Sequence, residues 1–370
     1  MNTPRIPDWI DPSEWLPLSA SNDQDEAAAA VHTDQPGIRE FARMISPGAD
    51  VHLEAMAQKA LDMTRRHFGR TITLYAPLYL SDYCSAGCVY CGFSSDLEKP
   101  RRKLSLTESL AEILAMKKSG LQEVLLLTGD RTKEADHAYL CEHTAQAAAH
   151  IHNVNIEAFT MSEKEYQALD QAGCSGIALY QETYDPALYK DVHRWGPKVH
   201  YQNRIDAPAQ ALAAGMRNVG MGVLLGLHDP AKEIICLFRH ITALRKTYWK
   251  SGLSLSFPRI RPQLGGFNPR HSVSEHFLAK IIFAFRLCFP EMTLTLSTRE
   301  SPEFRDGMAG LGINKMSVAS KTTVGGYAED RSKDSGQFDI SDERDIESFC
   351  SMLRTKGLEP VFKNWDAVYR

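Results

Sequence analysis

Three of the chain's eight cysteines, Cys84, Cys88 and Cys91, fall within eight residues at the spacing Cys-x3-Cys-x2-Cys. That spacing lets three thiolates converge on one small inorganic core. Iron–sulfur cubanes are normally held by four cysteines, so a compact set of three leaves one iron open to something other than protein. A structural zinc ion is the rival reading, and it wants four closed ligands. No histidine or fourth cysteine lies within twenty residues on the C-terminal side of Cys91. Three unrelated core cysteines are the remaining alternative. The other five, Cys141, Cys174, Cys236, Cys288 and Cys350, stand alone and far apart. Cys236 and Cys288 sit in apolar helical patterns, where a free cysteine acts as a small buried hydrophobe.

The elements that must position these thiols are legible as a period. Short β-like runs occupy Thr71–Leu80, Glu123–Thr128, Asn153–Phe159, Gly176–Gln181, Asn218–Leu225, Leu253–Phe257, Met292–Ser297 and Ile313–Val318. Amphipathic helical runs alternate with them over Leu106–Ser119, His137–His152, Ser162–Ala172, Ala207–Gly215, Ala231–Trp249, Val273–Phe289, Pro302–Gly310 and Asp342–Lys356. Ser105, Ser162 and Ser272 read as helix caps, and Gly120, Gly173, Gly215 and Gly357 as helix ends. Eight β–α units in a row predict a (β/α)8 TIM-type barrel over residues 71–370. Residues 1–70 read as an N-terminal helical extension, with helices over Glu26–His32, Gly37–Met44 and His52–Phe68.

In such a barrel the chemistry sits at the C-terminal ends of the strands. The first strand candidate runs directly into the cysteines. The fourth ends in Tyr180-Gln181-Glu182, where a carboxylate suits ribose hydroxyls or an ammonium because it only accepts hydrogen bonds. The sixth and seventh end near Arg259, Arg261, Ser297 and Arg299, and a guanidinium suits a bidentate grip on a carboxylate. One carboxylate ligand needs one such grip, leaving the other arginines to brace loops. After the eighth comes a hydroxyl-rich turn ending in Gly325-Gly326-Tyr327, which either closes over the site or is a plain glycine loop.

The cysteine triplet, with Tyr90 just before its last member, resembles the signature of the radical S-adenosylmethionine (SAM) enzymes. Further strings narrow the likeness: Ala76-Pro77-Leu78-Tyr79-Leu80-Ser81, Cys91-Gly92-Phe93-Ser94, Tyr180 to Tyr184, Pro258 to Pro262 and Ser297 to Ser301. Together they resemble the aromatic amino-acid lyases of that superfamily, above all the tyrosine lyases of thiamine biosynthesis, from about residue 70 to Trp365-Asp366. The resemblance implies one [4Fe–4S] cluster on Cys84, Cys88 and Cys91, whose open iron chelates SAM. It implies cofactor-binding roles for Tyr90, Gly129, Asp130, Glu182, Arg204, Gly222 and Gly226. Asp130 follows Thr128-Gly129 where family members carry a Gly-Gly-Glu-like turn, so this chain departs from the pattern there. Arg204 is either the arginine on the SAM carboxylate or a solvated helix arginine. Glycine at 222 and 226 removes a Cβ that would block approach to an adenine.

The implied reaction starts when a 5′-deoxyadenosyl radical takes a hydrogen from the amino group of L-tyrosine. The Cα–Cβ bond then breaks, giving p-cresol and 2-iminoacetate (dehydroglycine). Implied partners are a thiazole synthase that receives the imine and a flavodoxin or ferredoxin that supplies the electron. The related hydrogenase-maturation lyases hold a second cluster in a C-terminal extension; here the tail contributes only Cys350, which sets the expectation of one cluster. A tryptophan lyase is an alternative reading, because a change in the aromatic pocket would admit indole and the sequence does not show that pocket. A non-catalytic iron–sulfur electron carrier would leave the SAM-like strings unexplained. Tyr79, Tyr180 and His228 are candidates for handling substrate protons, and no catalytic residue stands out.

At 370 residues, 43% hydrophobic and 24% charged, the chain has the balance of a globular protein with a sizeable core. Its net charge of −4 gives no reason to expect nucleic acid or an anionic membrane. The start, Met1 to Trp9, has no apolar signal segment, and no run approaches a membrane span. With unpaired cysteines throughout, a reducing cytoplasm is the expected location.

Overall fold

The computed structural model describes residues 5–331 and 333–363; Trp365 and Asp366 lie outside them. Eight parallel strands carry the fold: β1 (Thr71–Ser81), β2 (Glu123–Thr128), β3 (Asn153–Glu157), β4 (Gly176–Ala178), β5 (Asn218–Gly222), β6 (Gly252–Ser256), β7 (Thr293–Leu296) and β8 (Lys315–Ser317). Each pairs with the next, and β1 pairs with both β2 and β8, which closes the ring. This is the expected (β/α)8 barrel. β1 is buried along nearly its whole length, as a strand covered on both faces must be.

Helices α5 (Leu106–Lys118), α6 (His137–Ala148), α7 (Glu163–Gln171), α8 (Pro186–Val192), α9 (Tyr201–Ala213), α10 (Pro230–Thr247), α11 (Glu275–Cys288), α12 (Pro302–Met308) and α13 (Ile346–Thr355) follow the strands. Helices α1 (Leu16–Ser19), α2 (Gln24–His32), α3 (Ile38–Met44) and α4 (Leu53–Phe68) precede the barrel. Ser105 and Ser162 form capping boxes with Glu108 and Glu165. The cap of α11 is Ser274, not Ser272: the Ser274 side chain accepts from the Phe277 N–H, and the helix starts two residues later than its apolar pattern. Helix α9 starts six residues earlier than expected, because it runs through Pro208 rather than beginning beside it.

Besides the one-turn α1, two elements were not anticipated. Helix α8 is inserted after β4, announced by the Asp185 cap and Pro186 at its first position. A ninth strand, β9 (Glu359–Val361), adds in parallel to Thr71–Thr73 of β1; three residues carry no period to detect. The helices before the barrel share its core. Phe41 of α3 packs at 4.7 Å from Phe238 and 4.6 Å from Phe285, while Arg239 of α10 donates to the carbonyls of Asp8 and Trp9 at 3.2 Å. Among the described residues no helix is long and apolar enough to cross a membrane.

Candidate active site at the barrel mouth

A register shift between Tyr79 and Ser81 breaks the β1–β2 ladder just before the cysteines. Such a bulge re-aims a strand, and here it turns the chain across the mouth. Arg101 then staples the loop, donating to the carbonyls of Asp82 (2.8 Å), Phe93 (2.8 Å), Ser94 (2.5 Å) and Leu97 (3.1 Å). Asp82 is itself paired with Lys99 at 3.0 Å. Glycine lets two segments close on the loop. A Cβ on Gly129 would lie 2.4 Å from the Tyr83 carbonyl and 2.7 Å from the Cys84 Cβ, and one on Gly87 would lie 2.3 Å from the Trp195 ring.

Cys84, Cys88 and Cys91 share one wall of the cavity. N–H donors point at the sulfurs: Ala86 (3.4 Å) and Asp130 (3.2 Å) at Cys84, Phe93 (3.4 Å) and the Gln337 side-chain amide (3.5 Å) at Cys91. Burial pushes the Cys84 thiol up to about 11, and raises that of Cys88 as well. Metal binding must therefore displace protons, after which the N–H donors stabilise thiolate charge. Among the described residues no three His, Cys, Asp or Glu side chains are drawn together closely enough to hold a lone metal ion. Three sulfurs lining one cavity, two of them with aimed N–H donors, fit a polynuclear iron–sulfur core.

Across from the sulfurs, Glu182 is buried with a left-handed backbone (φ 68°), a conformation that costs a non-glycine residue free energy and marks functional sites. Its carboxylate meets Lys198 at 2.7 Å and Arg204 at 3.8 Å. Burial alone would raise its pKa, but the two cations hold it below the usual range. Arg204 is buried, and its Nε donates to the Tyr180 carbonyl at 2.7 Å; it is not a solvated helix residue. Tyr90 bonds His193 Nε2 at 2.6 Å, while His193 Nδ1 faces the Tyr189 carbonyl at 2.8 Å. The carbonyl fixes the proton on Nδ1, so Tyr90 donates.

The cavity holds about 1060 Å³ of space, part of it open to solvent, and continues into a second compartment inside the barrel. Glu157, Tyr180, Pro258, Arg299, Gln337 and Phe338 line both. The inner walls are apolar on one side, with Leu125 and Leu127, and hydroxyl-rich on the other, with Ser297 and Ser320. The Arg299 guanidinium lies over the Phe338 ring at 3.3 Å and donates to the Arg259 carbonyl at 3.4 Å. Among the described residues it has no carboxylate within salt-bridge distance.

The barrel thus brings Tyr90, Gly129, Asp130, Glu182, Arg204, Arg261 and Arg299 to one cavity with the cysteines, and Ser297 to the inner compartment. Arg259 is turned away from it, engaged by Glu300 and the Val273 carbonyl. Gly222 and Gly226 are off the wall: a Cβ on the first would meet Tyr180 at 2.8 Å, and one on the second Ile260 at 3.1 Å. They make room for wall residues. His228 faces Asp185 at 3.7 Å, away from the cavity. Sequence reasoning missed Glu157, Lys198, Gln337 and Phe338. Only Glu157, a carboxylate near the C-terminal end of the strand candidate Asn153–Phe159, carried a signal that could have found it.

An eight-stranded barrel whose first strand delivers three cysteines to its mouth defines a radical SAM protein. Residues 78–240 match the family model described as the radical SAM superfamily, and residues 256–359 the biotin and thiamin synthesis associated domain. The chain is 38% identical to 2-iminoacetate synthase of Escherichia coli over 91% of its own length and 90% of the relative's. It is 37% identical to the Salmonella typhimurium enzyme over 93% and 91%. It belongs to the 2-iminoacetate synthase family. Among solved structures it is similar to HydG, a maturase of the [FeFe]-hydrogenase, with TM-score 0.89 and 27% identity over 97% of this chain and 81% of that one.

Proposed function

We propose that the chain is a radical SAM lyase that cleaves the Cα–Cβ bond of L-tyrosine to p-cresol and 2-iminoacetate, feeding thiazole formation in thiamine biosynthesis. The observation that carries this reading is Arg299, a guanidinium at the junction of the two compartments with no carboxylate partner among the described residues. An amino-acid carboxylate is the ligand such a group calls for, and family membership supplies the aromatic side chain. Cys84, Cys88 and Cys91 would hold one [4Fe–4S] cluster, which with SAM supplies a hydrogen-abstracting radical.

The remaining work belongs to the chain's own residues. Asp130 and the Gly129 turn border the sulfurs and offer acceptors for the SAM ammonium. Glu182, kept ionised by Lys198 and Arg204, accepts from ribose hydroxyls, and Tyr90, locked on His193, limits how deep the cofactor sits. Gly222 and Gly226 shape that pocket through Tyr180 and Ile260. Arg299 grips the substrate carboxylate, Arg261 and Ser297 flank it, and Arg259 braces the loop through Glu300. The aromatic ring enters the inner compartment, away from water.

A thiazole synthase is the proposed recipient because 2-iminoacetate hydrolyses in water. A flavodoxin or ferredoxin is the proposed electron donor, and a reducing cytoplasm suits both. The test is an anaerobic assay of reconstituted protein with SAM, a reductant and either tyrosine or tryptophan. Cresol with 5′-deoxyadenosine is expected; indole products, or no deoxyadenosine, would overturn the reading.

A further inference from the structure

Attack on an amino N–H bond requires a neutral amine, yet L-tyrosine enters as an ammonium at neutral pH, and the roles assigned above leave its proton unaccounted for. We propose that Glu157 is a catalytic residue of the reaction proposed above, accepting that proton: R–NH3+ and the Glu157 carboxylate become R–NH2 and the Glu157 carboxylic acid.

The argument rests on place. Glu157 is the last residue of β3, at the C-terminal rim where barrel chemistry collects. It lines both the cofactor cavity and the inner compartment, as Arg299 does. A carboxylate gripped by Arg299 sits one carbon from the substrate nitrogen, so that nitrogen lies at the same junction. Among the described residues the Glu157 carboxylate has no ion pair, which leaves it free to accept. The other strand-end carboxylate of the cavity, Glu182, is engaged by Lys198 and Arg204. Asp130, with one oxygen accepting from the Arg131 N–H at 2.8 Å, lines the cofactor cavity but not the inner compartment.

The surrounding charges agree with the role. Burial, then the negative charge of Glu182, push Glu157 up to about 7, against the opposing fields of Arg299, Arg204 and Lys198. Tyr75 and Tyr79 of β1 and Tyr180 after β4 also face it, all with raised pKa values and so neutral near pH 7. A base poised near the working pH both accepts and later releases a proton.

The test compares wild type with Glu157→Gln in anaerobic assays of cresol formation across pH 5.5 to 9 (a range chosen about the value above), with 5′-deoxyadenosine and the iron content after reconstitution as further readouts. In wild type, kcat/KM for tyrosine should rise through an acid limb near pH 7. Glu157→Gln should lose about 100-fold or more in cresol formation and lose that limb, while its iron content after reconstitution stays that of wild type. Glu157→Asp should restore the limb, which a merely structural role would not do. Retention of cresol formation within about threefold in Glu157→Gln, or an unchanged pH profile, overturns the inference. Wild-type protein that makes deoxyadenosine but no cresol overturns the lyase reading itself.

Discussion

Replacing Arg299 with methionine keeps the length of the side chain and its contact with Phe338 while removing the guanidinium. Arg299 lines both compartments; one face of its planar guanidinium is covered by Phe338 at 3.3 Å, and its protein hydrogen bond, to the Arg259 carbonyl, is long at 3.4 Å. Breaking a buried ion pair costs about 3–5 kcal/mol. The mouth is partly open to solvent, so about 2–4 kcal/mol is the better range for a bound carboxylate here. At 1.36 kcal/mol per decade, kcat/KM for tyrosine should fall roughly 30- to 1000-fold. The KM for SAM should change by less than about threefold, because the side chains bordering the sulfurs are untouched. Arg299→Lys should recover part of the loss, restoring the charge without the fork. There is a second, signed consequence. The Arg299 charge lowers the pKa of Glu157, so the acid limb of the remaining activity should move to higher pH. The assay is an anaerobic titration of each ligand in turn, with cresol and deoxyadenosine measured together. Equal losses for SAM and tyrosine would place Arg299 on the cofactor and refute the reasoning.

Cys88→Ala should abolish the iron–sulfur absorbance of reconstituted protein and all SAM cleavage; a SAM-reactive variant would contradict the assignment. Gly87→Ala drives a methyl into the Trp195 ring, so iron retention after reconstitution should drop, and adding Trp195→Ala should recover it. Glu157→Gln should raise the melting temperature of metal-free protein at pH 8 by about 2 °C. A raised carboxyl pKa means the folded state binds the proton more tightly, so wild type loses stability as pH climbs from the unfolded value near 4.3 through about 7. The gain should shrink towards pH 5, as followed by melting curves. Lys198→Met should weaken SAM binding below pH 6 more than above it. With less opposing charge Glu182 becomes protonated earlier as pH falls, which binding titrations at the two pH values would check.

The barrel was legible because β–α alternation is a periodic signal, and every strand candidate lies on an observed strand. Several strands are shorter than their apolar runs: β4 stops at Ala178 and β5 at Gly222, since buried residues beyond the ladder are as apolar as those within it. The cysteine loop was legible because spacing alone constrains it. What the sequence withheld is the pairing of distant loops. Nothing in Ser335-Gly336-Gln337-Phe338 marks it as reaching the cysteines, and nothing in Gly196-Pro197-Lys198 marks a partner for Glu182. The choice among three arginines was equally closed, because Arg259 and Arg299 differ only in whether Glu300 lies within reach.

Gln337 has both ends of its amide occupied. The nitrogen is 3.5 Å from the Cys91 sulfur, the oxygen accepts from the Tyr79 hydroxyl at 2.7 Å, and its backbone carbonyl accepts from Gly92 at 3.0 Å. One planar group cannot turn at one end and stay still at the other. Reshaping the Tyr79 wall to admit a bulkier aromatic would therefore also shift a donor on a sulfur proposed to hold the cluster, and with it how readily that cluster would take an electron. With the cluster on these cysteines, substrate range and electron affinity would be joined through one side chain, and an engineer who changed the first would inherit a change in the second.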